Sequence, residues 1–352
     1  MGKQIFKSSK RRNIRRLYLI ASIFDFLQAK NERGHLSKKG DERGVALVSL
    51  IVFSFSLIVY EFYYAGDQIA YHSAYDVVPG LNLSEAMELY NQHVSSAEYV
   101  HFLFSYIGST LGVDKNLWFS AWNSLFSILI MRFFISRGVP FWLSTAIVFT
   151  NFYVLVLYFA AERLKFGFLF MSVALLPEVG VVSAVFFAIL SVFSHFSMLF
   201  PVLSISLVKV YDFYCEYKFS FIFLCCVFFL LLAPFGIFFY FNFDYVAWKV
   251  SFYLVELSFY SIVPILPVLG LLCVAIIQCR DWVRPFLAFL PLIVGVLLLG
   301  GDRLNMFVFF YYVWFSNDSR FSRYVLIILC MYFLPKSILF LGGIFSVGSG
   351  FS

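Results

Sequence analysis

The chain is short of charge. Only 13% of its 352 residues are Asp, Glu, Lys or Arg, against 62% hydrophobic, and a single soluble core could not hide that much apolar surface from water. Alternating ten-residue segments are lacking, which excludes a transmembrane β-barrel. No Gly-rich phosphate loop, nucleotide-fold pattern or nucleophile elbow is present. Metal-ligand spacing is absent too. Asp67, Asp76, Glu85 and Glu88 could collect a divalent cation, but such acidic segments are ordinarily just solvated, so neither metal nor cofactor is expected. The cysteines (Cys215, Cys225, Cys226, Cys273, Cys279 and Cys330) fall in apolar runs or on the expected cytoplasmic side, where no structural disulfide forms.

What is abundant is hydrocarbon. The chain holds 48 Phe and its mean hydropathy is +0.87, so lipid is the solvent for most of it. The fold class is all-α, a polytopic integral membrane protein. Runs near 45–63, 117–136, 140–160, 163–177, 179–194, 196–210, 219–241, 258–278, 284–301, 303–316 and 321–345 give about eleven crossings. Residues 1–44 form a basic segment, 45–345 one helical membrane domain with an outer loop over 64–116, and 346–352 a short tail. Tyr99–Leu111 is a half-length apolar helix within that loop, too short to span.

Charge sets the expected orientation. Twelve Lys and Arg against four Asp and Glu leave residues 1–44 at +8, which the positive-inside rule places in the cytoplasm. Attraction to anionic headgroups accounts for this tail better than nucleic acid does. The run Leu17 to Leu27 suits an interfacial helix, since no small-residue cleavage pattern follows it. From Tyr64 to Glu98 there is no Lys or Arg, whereas Asp67, Asp76, Glu85, Glu88 and Glu98 occur there; this segment belongs outside. Alternate threading then puts Arg132 with Arg137, Lys209 with Lys218, Arg280 with Arg284, and Arg320 with Arg323 on the cytoplasmic side.

Glu162, Arg163, Lys165, His195, Asp302 and Arg303 land on the other face, as exceptions to the rule. Several runs there are short: 163–177 and 303–316 cover only about 20 Å of a core of about 30 Å. Their outer ends are therefore expected below the outer surface, in a recess where the positive end of the helix dipole favours an anionic ligand. Each residue also has a plainer reading. Arg163 and Glu162 could anchor the interface by snorkelling, His195 could be a structural hydrogen-bonder, and Asp302 could pair with Arg303. Lys165 lies two residues past Arg163, on another helix face. Most Phe must pack between helices or face lipid, while Tyr64, Tyr71, Tyr75, Tyr245, Trp248 and Tyr253 sit near outer ends. The outer loop 242–257, with Asp244, Lys249 and Glu256, is a candidate wall of the recess.

At these residues the chain resembles the Wzy-type O-antigen polymerases and the EpsG-like exopolysaccharide polymerases. The features run in order: Asp67-x-x-x-Tyr71 with Tyr75, then Glu98 ahead of the half-length helix, then Ala-Glu-Arg-Leu-Lys-Phe-Gly over 161–167, then Ser194-His195-Phe196-Ser197, then Asp302-Arg303. Tyr99 and Val100 stand where the family has Pro or Gly, and of its small residues after the first Arg only Gly167 remains.

The resemblance implies a glycosyltransferase of the bacterial inner membrane with a cytoplasmic N-terminus. It would transfer a growing glycan from undecaprenyl diphosphate to a second lipid-linked repeat unit on the periplasmic face. Its partners would be that donor and acceptor, membrane lipids and a chain-length regulator, with no nucleic acid. Arg163, Arg303 and Lys165 would hold the diphosphate. His195, Asp67 and Glu162 are the candidate catalytic groups, with His195 the first choice as proton acceptor. Tyr71, Tyr75, Glu98 and Asp302 would contact the glycan. A transporter or flippase, an O-antigen ligase and an acyltransferase are the alternatives; no internal repeat, large late outer loop or multi-His motif favours them.

Overall fold

The computed structural model describes residues 39–94, 98–217, 236, 240, 263–279, 281–299, 301–316 and 319–351. Residues 1–38 of the basic tail, with Leu17–Leu27, the expected span 219–241 and the loop 242–257 lie outside the described residues, apart from 236 and 240, and residues 39–44 of that tail belong to the first helix. Every regular element among the described residues is helical.

The first helix, α1 (Lys39–Phe62), is followed by α2 (Asp67–Val77), α3 (Leu83–Val94), α4 (Tyr99–Thr110) and α5 (Lys115–Ser136). Then come α6 (Phe141–Thr150), α7 (Phe152–Phe159), α8 (Glu162–Ala174), α9 (Val181–Ser194) and α10 (Leu199–Tyr217), the last preceded by a 3-10 turn over Phe196–Met198. The chain closes with α11 (Ile265–Gln278), α12 (Val283–Leu299), α13 (Gly301–Phe315) and α14 (Arg320–Val347).

Four of these stretches are long and apolar enough to cross a membrane, namely Asp41–Phe62, Lys115–Ser136, Phe196–Glu216 and Arg320–Val347, or five if the α6–α7 pair counts as one span. Among the described residues the remaining expected spans are short helices, so length alone does not carry the count to eleven. Direction does alternate. Ala65 N–H donates to Gly348 O at 2.9 Å, joining the end of α1 to the end of α14, and Arg137 at the end of α5 donates to Leu175 O at 2.9 Å, just past α8. At that second, far end Arg284 of α12 meets Asp212 of α10 at 2.7 Å.

Two expectations need correction. The run 140–160 is not one straight span but a pair bent by 60° at Asn151. Its side-chain oxygen accepts from Tyr153 and Val154 N–H, capping a new helix in competition with continuation of the old one. Ser337 of α14 donates to Thr150 O at 2.8 Å, satisfying a carbonyl freed at the break. The segment 64–98, read as an acidic loop, is mostly helical: α2 and α3 precede α4. Tyr71, Ala74, Val78, Ala86, Tyr90, Val94 and Phe102 form a small core of their own, and these three helices cap one end of the bundle.

Antiparallel α1 and α5 approach through small and polar side chains, Ser49 with Ser124 at 3.1 Å and Ser56 with Asn123 at 3.1 Å, as membrane helices commonly do. The Phe excess fills the bundle, for example Phe104 stacked on Phe166 at 4.7 Å and Phe168 on Phe307 at 4.9 Å.

Candidate active site beneath the helical cap

The site is built around the first turn of α8. Its 13 residues extend about 20 Å at 1.5 Å each, and its far end lies level with that of the 22-residue α5 through the Arg137–Leu175 bond. Near the cap, Lys165 Nζ donates to Asn123 Oδ1 at 2.6 Å. Lys165 is three residues into α8 and Asn123 eight into α5, while Lys115 and Glu162, the first residues of the two helices, also meet at 3.3 Å. The cap helices α2 and α4 reach this first turn through Gln68 and His101.

Glu162 and Arg163 open α8 about 100° apart around its axis, and they face different surroundings. Glu162 is fully buried. Its Oε1 accepts from Gln68 Nε2 at 2.7 Å and from Lys115 Nζ at 3.3 Å, while His101 Nε2 lies 3.4 Å from Oε2. Gln68 also donates to Phe159 O at 2.7 Å and accepts from Lys115 at 2.7 Å. Tyr90 OH stands 2.6 Å from His101 Nδ1. Burial pushes His101 below its ordinary value and Tyr90 well above its own; the phenol therefore donates to a neutral imidazole, whose Nε2–H points at Glu162. One carboxylate thus ties α2, α4 and α5 to α8.

Arg163 turns to the other side. Its Nη1 is 3.0 Å from Glu98 Oε2, its Nε donates to Tyr71 OH at 3.1 Å, and its guanidinium lies 5.9 Å over the Tyr71 ring. Burial also holds the Tyr71 phenol above its usual range, so it stays protonated. Glu98 is the N-cap residue of α4 but makes no side-chain cap bond. Its carboxylate goes instead to Arg163 and to His195, whose Nε2 lies 3.5 Å from Oε1. Arg163 keeps 17% of its side-chain surface exposed, His195 9% and Glu98 7%, against none for Glu162. Arg163 is therefore the accessible member of the cluster, while both Glu98 carboxylate oxygens are buried.

His195 sits at the break between α9 and α10 and caps the turn that follows. Its Nδ1 accepts from Ser197 N–H at 3.2 Å and lies 2.7 Å from Ser197 Oγ. A backbone N–H can only donate, so Nδ1 is unprotonated and the ring proton sits on Nε2, facing Glu98. The expected help from serine is present, and it turns the ring into a donor.

The structure thus gathers Tyr71, Glu98, Arg163 and His195 into one cluster and Glu162 into the layer beside it. Lys165 is fully buried and directed at Asn123, away from Arg163 as the two-residue spacing requires, and the diphosphate role assigned to it does not fit that placement. Tyr75 is buried and donates to Val113 O at 2.9 Å; it holds α2 to the start of α5 in place of facing a glycan. Asp67 is exposed at the head of α2. Asp302 and Arg303 open α13, but their side chains lie outside the described residues.

Sequence reasoning missed Gln68, Tyr90, His101, Lys115 and Asn123. Two of them left a trace: His101 is a lone ionisable group in an apolar half-length helix, and Lys115 is another cation on the face where cations are exceptional. No group of three His, Cys, Asp or Glu is placed to hold a metal among the described residues. No protein-family model, curated protein or solved structure matches the chain.

Proposed function

We propose that this chain is a polysaccharide polymerase of the bacterial inner membrane, with the capped end of the bundle facing the periplasm. It moves a growing glycan from undecaprenyl diphosphate to the terminal sugar of a second lipid-linked repeat unit. The observation that supports this reading best is the Arg163 guanidinium, held between Glu98 and Tyr71 in the first turn of a short helix. There a planar cation and the helix dipole act together on an anion at the membrane boundary.

A lipid diphosphate needs no further activation. It departs once its developing charge is held, which Arg163 does by bidentate hydrogen bonding, with Arg303 of α13 as its partner cation. Tyr71 aligns the guanidinium through its Nε. The buried Glu162 layer fixes the turn on which Arg163 stands.

Deleting the gene in its source bacterium and separating the surface polysaccharide on a gel tests the reading. Loss of the long-chain ladder with one repeat retained is the expected result; loss of the single repeat as well would point to transport or ligation. Complementation with Arg163→Ala should leave one repeat, and Arg163→Lys should recover little, because a point charge does not replace the fork. Long chains from a normally expressed Arg163→Ala would sink the assignment.

A further inference from the structure

We propose that the exposed face of α14 docks a transmembrane helix of another protein, and that this helix carries one Asp or Glu carboxylate that pairs with Lys336. The proposal does not depend on the sugar chemistry. It requires only that α14, which is long and apolar enough to cross a membrane, does so.

Lys336 is an exposed cation in the middle of that helix. α14 runs from Arg320 to Val347, so Lys336 lies about 4 Å from its midpoint and about 20 Å along the axis from Arg323. A hydrocarbon core of about 30 Å therefore surrounds it. A second marker gives a similar depth. The next residue, Ser337, donates to Thr150 O at the bend between α6 and α7, and Thr150 stands nine residues past Phe141, about 14 Å beyond the start of α6.

Long lysines near a helix end escape lipid by reaching back to the boundary. Lys336 does not. Its Nζ donates to Tyr332 OH at 3.0 Å and lies 4.7 Å over the Tyr332 ring. Tyr332 is one turn back toward the middle of α14, so the ammonium is held at mid-depth.

The same side of the helix has a further polar group to satisfy. Pro335 has no N–H to give the Met331 carbonyl one turn earlier. Ile328, Met331, Tyr332, Pro335, Lys336 and Leu339 are all exposed, while α14 buries Leu326, Phe333, Ser337, Phe340 and Ile344. Hydrocarbon offers the cation, the phenol and the carbonyl no partner; a neighbouring helix does.

Charge selects the occupant. A lysine at this depth is neutralised most directly by a carboxylate at the same depth. A second copy of the chain does not bring one, because the Asp and Glu of the described residues stand in the cap, in loops or near helix ends. The run 219–241 contains neither Asp nor Glu. Lipid phosphates lie at the boundary, and the bond to Tyr332 turns the ammonium away from it. The partner that fits is an apolar helix of a different chain with a single carboxylate near its centre.

The test places the full-length protein in proteoliposomes with a labelled synthetic peptide, a Leu/Ala transmembrane helix bearing one central Glu, and reads association by energy transfer. The Glu peptide should bind at least about tenfold more tightly than its Gln counterpart. Lys336→Leu, which suits lipid and leaves the buried face of α14 intact, should abolish that preference, and Lys336→Arg should keep it. In membranes of the source bacterium, a photo-crosslinking residue at Leu339 should capture a helix whose apolar core contains an Asp or Glu. That adduct should be lost with Lys336→Glu and return when the captured acid is exchanged for Lys.

The proposal is overturned if wild type binds both peptides alike, or if Lys336→Leu keeps the Glu preference. Crosslinks to lipid alone, to a second copy of the chain or to a helix without an acid in its apolar core overturn it too, as does an adduct that Lys336→Glu leaves unchanged.

Discussion

Glu162 and Arg163 are sequence neighbours with opposite surroundings, and the difference is one of water. Glu162 has its oxygens met by Gln68, Lys115 and the neutral His101 with no exposed surface, whereas Arg163 retains an accessible flank. A buried charge that loses its partner costs far more than the pair contributed, on the order of 3–5 kcal/mol. Glu162→Gln should therefore strand Lys115 and lower the thermal midpoint in detergent far more than Arg163→Ala does. Equal melting of the two variants would place the stabilising ion on the wrong residue. The sequence marked both positions as costly charges in an apolar setting, yet it could not assign their roles. That assignment depends on Gln68, an uncharged residue 94 positions away from Glu162.

The hairpin of α8 and α9 is the element that brings His195 to Arg163. Its closeness depends on Gly167, whose carbonyl accepts from Ser191 Oγ at 2.8 Å. A Cβ there would meet Met198 Cγ at 2.5 Å and Ser191 O at 3.4 Å. Gly167→Val should force the two helices apart at a cost of about 1–3 kcal/mol. The expected outcome is normal membrane insertion with polymer length sharply reduced, since the shift is passed to the His195 cap. Wild-type chain length from this variant would show that the hairpin spacing does not position the site. The positions of α8, α9 and α10 were legible from the apolar runs. The break at Asn151 was not: the run continues through it, and only its capping bonds to Tyr153 and Val154 reveal the 60° bend.

Across the whole molecule, the bonds Ala65–Gly348 at one end and Arg137–Leu175 at the other define two faces. Single cysteines replacing the exposed Glu85 and Glu178, in a background free of the six native cysteines, should react with an impermeant maleimide from opposite sides. In the proposed orientation Glu85→Cys is labelled from the periplasm. Labelling of both from one side would break the alternation of helices on which a capped, outward-facing site depends.

By itself the sequence determined where most of the helices lie and which end of each is charged. Transfer of a side chain from water to lipid is a local property, summed along the chain without reference to other segments. Tertiary structure alone decided that the acidic segment 64–98 folds into a helical cap and that Glu98 joins Arg163 and His195. It also decided that Lys115 and Lys165 serve the interior. Those outcomes turn on hydrogen bonds of a few ångströms between residues tens of positions apart, and a linear pattern of polarity carries no record of distance.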